Sequence, residues 1–124
     1  MTKPLALICY ENLLPGSQLV NRFQDLGYRV RVITDANALV AQAEEDNPLL
    51  VVTDLENRKV DLCGIIKDLR QRASTNHIPV LAFTAEGNET IQDAARSSGA
   101  TLVTLEKAML AHLPQLLEQV LQVE

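Results

Sequence analysis

The sequence predicts a three-layer, doubly wound α/β domain built on a five-stranded parallel sheet. Two observations carry this prediction. First, five short apolar runs alternate with longer amphipathic stretches along the 124 residues. Second, three of those runs are apolar without interruption, as in parallel strands that are covered on both faces. Strand and helix segments that alternate in this way form a parallel sheet between two layers of helices.

The predicted strands are residues 5–8, 29–33, 49–52, 79–83 and 101–105. The first, third and fourth are the continuously apolar runs. The second, which reads Arg-Val-Arg-Val-Ile, alternates instead and indicates an edge strand with one wet face. An edge position for the second strand favours the strand order 2-1-3-4-5, which is the flavodoxin-like order.

Stripes of apolar residues at helical spacing fill the intervals between the strands. Gly27 follows the first stripe as a stop signal, and Asp35 is placed to cap the second helix. Proline is tolerated in a first turn, so Pro114 places the start of the last helix near His112 or Leu113. The five stripes are Val20, Phe23 and Leu26; Leu39, Val40 and Ala43; Leu62, Ile65, Ile66 and Leu69; Ile91, Ala94 and Ala95; and Leu113, Leu116, Leu117 and Val120.

Composition and charge argue against several classes of function. With 11 Lys plus Arg and a net charge of −5, the chain lacks the basic patch of a nucleic-acid-binding protein. No apolar run approaches the ~20 residues of a membrane span, and the first residues do not read as a secretory signal. We therefore expect one cytoplasmic domain over residues 1–124, with Cys9 and Cys63 reduced.

Ligands of open α/β sheets bind beyond the carboxyl ends of the central strands. The residues at those ends are therefore the candidates for a functional site. They are Cys9 and Tyr10 after the first strand, Thr53 and Asp54 after the third, Thr84 after the fourth, and Glu106 and Lys107 after the fifth.

Three short motifs accompany these strands: Val51-Val52-Thr53-Asp54, Phe83-Thr84-Ala85 and Ser98-Gly99-Ala100. Asp54 follows Cys9 by 45 residues, Thr84 follows Asp54 by 30, and Glu106 follows Thr84 by 22. On these motifs and spacings the chain resembles, over essentially its whole length, the CheY-like receiver domain of bacterial two-component response regulators. The resemblance implies that Asp54 stands at the place of the phospho-acceptor and Thr84 at that of the family's hydroxyl residue.

The chain departs from the receiver pattern at the metal site. The resemblance places two acidic residues after the first strand, which bind Mg²⁺ together with the acceptor aspartate. Cys9 and Tyr10 stand there instead, and neither a thiol nor a neutral phenol replaces a carboxylate for a hard cation. Glu11 is adjacent, but a shift of one residue is expected to point it elsewhere. We therefore predict no metal site.

The chain also departs from the pattern at the phosphate-binding and switch positions. Glu106 stands at the family's lysine and reverses the local charge, although a gap of one residue would bring Lys107 to that place. Val103 stands at the aromatic switch position of the fifth strand. Residues 56–59 lack the family's proline, and Leu62 replaces its glycine. The resemblance thus implies a receiver that lacks its metal ion, the lysine that contacts the phosphoryl group, and the aromatic switch residue.

These departures predict a degenerate pseudo-receiver, which is a non-enzymatic signalling module that acts by protein–protein interaction without phosphorylation and without a cofactor. Two alternatives stay open: a phosphorylatable receiver with an atypical site at Asp54, and a pseudo-receiver that binds a small ligand or redox cofactor. A purely structural role for Asp54, in which it caps a turn, is also open. The degenerate pocket comprises Cys9, Tyr10, Asp54, Thr84, Glu106 and Lys107.

Cys9 suggests one further chemistry, because α/β phosphatases and arsenate reductases hold a nucleophilic cysteine at a strand end. Those enzymes need a basic phosphate-binding loop directly after it, and this chain has no basic residue between Cys9 and Arg22. Cys9 is therefore interpreted as a small, half-buried apolar side chain. His77 and His112 have no metal-ligand spacing with any Cys or Asp.

Receivers contact partners and each other through the fourth helix, fifth strand and fifth helix, which the resemblance places at residues 91–120. We expect a protein partner of a signalling pathway there, or a second copy in a homodimer, and neither nucleic acid nor membrane. Met109 and Leu110 would form an apolar anchor if they are exposed. The predicted interaction face is Arg96, Val103, Glu106, Lys107, Met109 and His112.

Overall fold

Five parallel strands form one sheet in the order β2-β1-β3-β4-β5, which confirms the predicted fold class and strand order. The computed structural model describes residues 4–10, 13–55, 60–84 and 89–121, with only the backbone of residues 13–16. The strands are β1 (Leu5–Cys9), β2 (Arg29–Ile33), β3 (Leu50–Asp54), β4 (Val80–Thr84) and β5 (Leu102–Leu105).

Helices cover both faces of this sheet. Within the described residues they are α1 (Leu13–Asp25), α2 (Leu39–Asp46), α3 (Leu62–Gln71), α4 (Glu89–Ser98), α5 (Glu106–Ala111) and α6 (Leu113–Leu121), and a 3-10 turn (Ala36–Ala38) precedes α2. One face carries α1, α5 and α6, and the other carries α2, α3 and α4. None of the described helices is long and apolar enough to cross a membrane.

Three strands, β1, β3 and β4, run further at their carboxyl ends than the apolar runs predict, whereas β2 and β5 end at the predicted residues. Cys9, Asp54 and Thr84 are the last residues of β1, β3 and β4, rather than the first residues after them. Cys9 is in register with Thr53, and Asp54 with Phe83. Because main-chain hydrogen bonds form whatever the polarity of the side chain, hydropathy alone ended the predicted strands too early.

The sheet separates two apolar clusters. The cluster under α2, α3 and α4 includes Leu7, Val51 and Ile66, and the cluster under α1, α5 and α6 includes Phe23 and Leu81. Successive side chains of a strand point to opposite faces, so the continuously apolar strands supply both clusters.

Two residues of the predicted helical stripes lie outside this core. Leu26 is 43% exposed, and Leu19 is buried beside Phe23 in its place. Leu26 lies beyond the last residue of α1, where the chain turns through Gly27 at a φ of +90°. Ala94 is exposed because it is the neighbouring Ala95 that faces the sheet from α4. The remaining stripe residues are buried or half-buried, as predicted.

Local signals set the boundaries of α2. Asp35 acts as a cap, as predicted, but it caps the 3-10 turn that leads into the helix: its Oδ1 accepts a hydrogen bond from the main-chain N–H of Asn37 at 3.0 Å. Asn47 ends the helix in the left-handed conformation at a φ of 46°. Asparagine tolerates this conformation better than most residues, so it serves as a stop signal.

The chain forms two helices after β5, where a single helix is predicted. The unpredicted helix is α5, which begins at Glu106 directly after Leu105 and is separated from α6 by His112. Only Met109 of α5 is buried, so this short helix has no apolar stripe from which to predict it. α6 begins at Leu113, as predicted, with Pro114 as its second residue.

Candidate functional site

Four neighbouring strands end together at one edge of the sheet, and the predicted site residues lie there. Cys9, Asp54 and Thr84 end β1, β3 and β4, and Glu106 directly follows β5. Tyr10 follows Cys9, is half-buried and packs against the cluster under α1, α5 and α6. The structure therefore places at one edge the positions that the sequence analysis selects.

Cys9 is a buried thiol, with only 4% of its surface exposed. Burial, and then the negative charge of Asp54, raise the pKa of this thiol to about 11, against a smaller opposing effect of a hydrogen bond with Thr53. At neutral pH the Cys9 side chain is therefore protonated and uncharged. A protonated thiol is a poor nucleophile and a poor metal ligand, so the geometry does not favour the phosphatase-like chemistry considered for Cys9.

Asp54 is buried at the end of β3, next to the threonine that precedes it. The Oγ1 of Thr53 donates a hydrogen bond to the main-chain carbonyl of Asp54 at 2.9 Å. This bond satisfies the buried Thr53 hydroxyl and ties its side chain to the strand terminus. Carboxylates are almost never fully buried without partners, so the position of Asp54 marks this edge as polar and specialised.

Thr84 carries the one buried hydroxyl that has no hydrogen-bond partner among the described residues. Its side chain is 1% exposed, so bulk water does not satisfy it either. A buried, unsatisfied hydroxyl destabilises the folded state by about 1–3 kcal/mol. Such a group in a protein calls for a functional explanation, and Thr84 lies in the strand next to the one that Asp54 ends.

Glu106 and Lys107 form the first turn of α5. Glu106 is half-buried, whereas Lys107 is exposed. Successive residues of a helix lie about 100° apart around its axis, so the two side chains point in different directions. Of the two charged groups directly after β5, the Glu106 carboxylate is therefore more enclosed by the protein than the Lys107 ammonium group.

Asp35 also acts on this edge, and the sequence analysis missed it. Its negative charge contributes to the raised pKa of Cys9, after burial and Asp54. The signal for it is topological: the strand order puts β2 beside β1, so the residues after β2 reach the same edge as Cys9. Reading only the central strand ends left Asp35 out.

Three elements of the sequence analysis lie outside the described residues. They are Glu11, the neighbour of the missing acidic pair; residues 56–59, the loop after Asp54; and Ala85, the small neighbour of Thr84. Their roles stay predictions.

The groups at the end of β1 do not fit a Mg²⁺ ion of the receiver type. Mg²⁺ binds oxygen ligands in near-octahedral geometry, and the thiol of Cys9 and the phenol of Tyr10 stand where the receiver pattern has two carboxylates. In residues 4–10, 13–55, 60–84 and 89–121, no group of three His, Cys, Asp or Glu is placed to hold a metal ion.

The predicted interaction face is only partly accessible. Arg96, Lys107 and His112 are exposed, and Arg96 forms an ion pair with Asp93 at 3.0 Å. Val103 and Met109 are buried, so their assignment to the face is wrong. Val103 points into the cluster under α2, α3 and α4, and Met109 into the other cluster, where each contributes to packing instead.

The strand order, the two helical layers and the polar edge together define the receiver fold of response regulators, with the CheY-like, flavodoxin-like topology. No protein-family model and no curated protein matches this chain. The fold is therefore established by structural likeness.

Three solved structures show this likeness over nearly the whole chain. A protein from Chloroflexus aurantiacus that is assigned as a response regulator has a TM-score of 0.90 and 20% identity, over 98% of this chain and 100% of that one. The receiver domain of the sensor histidine kinase PA1611 from Pseudomonas aeruginosa, with a magnesium ion in its active-site cleft, has a TM-score of 0.87 and 18% identity, over 98% and 100%. The chemotaxis response regulator CheY4 of Vibrio cholerae has a TM-score of 0.83 and 20% identity, over 96% and 99%.

Proposed function

We propose that this chain is a receiver-like signalling module that acts through protein–protein contacts and does not depend on aspartyl phosphorylation. Its fold, shared with a chemotaxis response regulator and a sensor-kinase receiver, supports a role in two-component signalling. The single observation that carries the second half of the proposal is the buried, uncharged Cys9 thiol at the end of β1. The receiver pattern has a metal-binding carboxylate at this position.

Phosphoryl transfer depends on groups that neutralise the charge of the transferred phosphoryl oxygens. Cys9 brings neither an oxygen ligand nor a negative charge to hold a cation for that purpose. Asp54 is left as a potential nucleophile without the metal that would make it reactive toward a phosphodonor. This reasoning favours a site that has lost its chemistry while keeping its fold.

Glu106 acts in the same direction. Two like unit charges about 4 Å apart repel by about 4 kcal/mol at an effective dielectric constant of about 20. A half-buried carboxylate directly after β5 therefore opposes both a phosphodonor and an aspartyl phosphate, where the receiver pattern has a cation. The exposed Lys107 is oriented away from Glu106 and does not replace that cation in our proposal.

A module without this chemistry signals by binding, and it is not an enzyme. The exposed polar residues Arg96, Lys107 and His112 form the contact surface that we assign to a protein partner. They lie on α4, on α5 and at the junction with α6, so one partner surface can span all three. A signal then consists of the presence or absence of this chain in a complex.

Intact-mass measurement after treatment with acetyl phosphate or phosphoramidate, with Mg²⁺ present, tests the proposal. We expect no phosphate mass, and no spectral change with beryllofluoride and Mg²⁺. A receiver domain that carries the acidic pair and the lysine is the positive control. A phosphate mass that appears in the unmodified protein and disappears in Asp54→Asn contradicts the proposal.

Affinity capture from the native host tests the binding half. The partner should be retained equally by the unmodified protein and by Asp54→Asn, and lost with the surface substitutions Arg96→Glu and His112→Glu. Loss of the partner in Asp54→Asn alone would show that the acceptor position controls the contact.

Phosphorylation at Asp54 is the second candidate function, and one observation favours it. The hydroxyl of Thr84 is buried and unpartnered among the described residues, as expected of a group that awaits an incoming oxygen. The mass experiment separates the two candidates. A coloured or mass-shifted preparation would favour the third alternative, a bound small ligand or redox cofactor.

A further inference from the structure

The outer edge of β2 is open in the described part of the sheet, where β2 pairs with β1 alone. The main-chain N–H of Arg29 donates to the carbonyl of Pro4 at 2.8 Å, so Arg29 directs its backbone groups toward β1. Alternate residues of a strand direct these groups to opposite sides. Val30 and Val32 therefore present their N–H and C=O groups outward, as a template for another strand.

The surroundings of this edge are charged and partly apolar. An open groove of about 660 Å³ runs between β2 and the end of α2, lined by Arg29, Arg31, Glu45 and Asp46 among others. Arg31 forms an ion pair with Asp46, with its Nε 2.8 Å from Oδ2. Val32 is 37% exposed, which is unusual for a valine in a strand of this sheet.

The charges along the edge select the kind of strand that fits it. Two arginines occur at 29 and 31, and carboxylates occur at 35, 45 and 46. A purely acidic strand would be repelled by these three carboxylates, and a purely basic strand would be repelled by both arginines. A complementary strand carries both signs in the reverse order, which is what an antiparallel copy of residues 29–35 provides.

We propose that the β2 edge is a homodimer interface, in which β2 of a second copy adds antiparallel about a two-fold axis at Val32. In this register Val32 of one copy lies opposite Val32 of the other, and Arg29 lies opposite Asp35, which follows the end of β2 by two residues and has an extended backbone. Each cross-strand pair of opposite charges then occurs twice, once on each side of the axis. The interface joins the two sheets into one continuous sheet.

Charge also disfavours the registers whose axis lies nearer the start of β2. An axis at Arg31 places the two copies of Arg31 opposite each other, and an axis at Val30 places Arg29 opposite Arg31. Like charges directly opposite one another destabilise a strand pair. The axis at Val32 avoids both contacts and keeps the outward-facing residues in hydrogen-bonded positions.

This interface is independent of the proposed function. The edge strand β2 lies at one end of the sheet and β5 at the other. A dimer through β2 therefore leaves Arg96, Lys107 and His112 of both copies accessible and presents two partner surfaces at its opposite ends.

Sedimentation velocity across a concentration series from about 5 μM to about 500 μM tests the proposal, because weak dimers dissociate within this range. We expect a species of twice 13.7 kDa at the upper end. The substitution Val32→Pro removes an outward N–H at an edge position where proline is tolerated, and it should leave the protein folded and monomeric.

Charge reversal provides a second test that does not depend on proline. Arg29→Asp and Asp35→Arg should each weaken the dimer about tenfold, because each replaces two attractive pairs by two repulsive ones. The double substitution Arg29→Asp with Asp35→Arg should restore the dimer, although Asp35→Arg also removes the cap on Asn37. Arg22→Asp, an equal charge change on α1, is the matched control and should leave the dimer unchanged.

A protein that stays monomeric at every concentration overturns the proposal. The proposal is also overturned if the dimer persists in each of the two single variants, Arg29→Asp and Asp35→Arg, or if the double substitution does not restore the dimer. If Val32→Pro fails to fold, as judged by circular dichroism, the charge-reversal series decides the outcome.

Discussion

The guanidinium of Arg70 donates a hydrogen bond from its Nε to the main-chain carbonyl of Gly99 at 2.6 Å. The same side chain also bonds the Asn76 carbonyl at 2.9 Å and the Thr101 hydroxyl. One residue at the end of α3 thus connects the segment before β4 to the segment before β5. This clamp holds together the two segments that lead into the amino ends of β4 and β5, opposite the candidate site.

The contact between Arg70 and Gly99 predicts an unequal pair of glycine substitutions. A Cβ at Gly99 would lie 2.5 Å from the Cγ of Arg70, at a φ of +113°. Gly27 has a similar φ of +90°, and no atom of the described residues lies within 4 Å of its Cβ position, so it reports the backbone strain alone. We expect Gly27→Ala to lower the free energy of unfolding by about 1 kcal/mol and Gly99→Ala by about 2–3 kcal/mol. If urea unfolding shows equal losses of unfolding free energy in the two variants, the Arg70 side chain moves aside without cost.

The hydroxyl of Thr84, which has no hydrogen-bond partner in the part of the chain that the structure describes, predicts a stabilising substitution. Thr84→Val replaces a buried, unsatisfied hydroxyl by a methyl group of similar size, and it should raise the free energy of unfolding by about 1 kcal/mol. Thr53→Val is the matched control, because the Thr53 hydroxyl is bonded to the Asp54 carbonyl. It should lower stability by about 1 kcal/mol. A loss of stability in Thr84→Val would mean that its hydroxyl has a partner.

The buried Cys9 thiol predicts a dependence of stability on alkaline pH. The pKa of Cys9 is about 11 in the folded protein, against 9.0 for an exposed thiol. Between these values the unfolded chain releases a proton that the folded chain retains, so stability falls as the pH rises from about 9 to about 11. The loss should approach about 2 kcal/mol.

Urea unfolding at about pH 8 and about pH 10.5 measures this loss. Cys9→Ala should remove most of the difference between the two pH values. Cys63→Ala should remove a smaller part, because burial and the charge of Asp61 also raise the pKa of this less buried thiol. If both variants respond to pH as the unmodified protein does, then groups other than Cys9 cause the alkaline destabilisation.

Restoring phosphorylation should require several substitutions together. Cys9→Asp with Tyr10→Asp supplies the missing carboxylates, and Glu106→Lys supplies the cation. We expect the triple variant to gain a phosphate mass from acetyl phosphate in the presence of Mg²⁺, and each single variant to gain none, because groups that act as a unit are strongly non-additive. A single substitution that suffices would locate the whole defect at one residue.

The sequence predicted the fold through its strands. Continuous apolar runs such as residues 5–8 and 80–83 favour a sheet covered on both faces, and the mixed run at Arg29–Ile33 has its place at the edge. The helix α5 was missed because it buries a single residue, Met109. Hydropathy patterns identify elements that bury a face, and a helix of six residues that follows a strand directly buries too little.

The candidate site was predictable as a location and less so as a set of contacts. The carboxyl ends of the strands follow from the topology, which brought Cys9, Asp54 and Thr84 to one edge. Asp35 was missed because only the central strand ends were considered, although the strand order brings the residues after β2 to the same edge. That the Thr84 hydroxyl has no partner among the described residues depends on side-chain positions that no spacing rule gives. Met109 illustrates the same limit, because spacing does not tell which side of a short helix meets the core.

The two apolar clusters on opposite faces of the sheet share no buried residue. Mutational energies should follow this division. Ile66→Ala in one cluster and Leu117→Ala in the other should lower stability by amounts that simply add, whereas Ile66→Ala and Leu69→Ala, which lie in the same cluster, should show a coupling energy. An evolving chain can therefore repack one face freely while the other stays constant. A domain that has exchanged its site residues can keep its architecture because the sheet separates the consequences of each change.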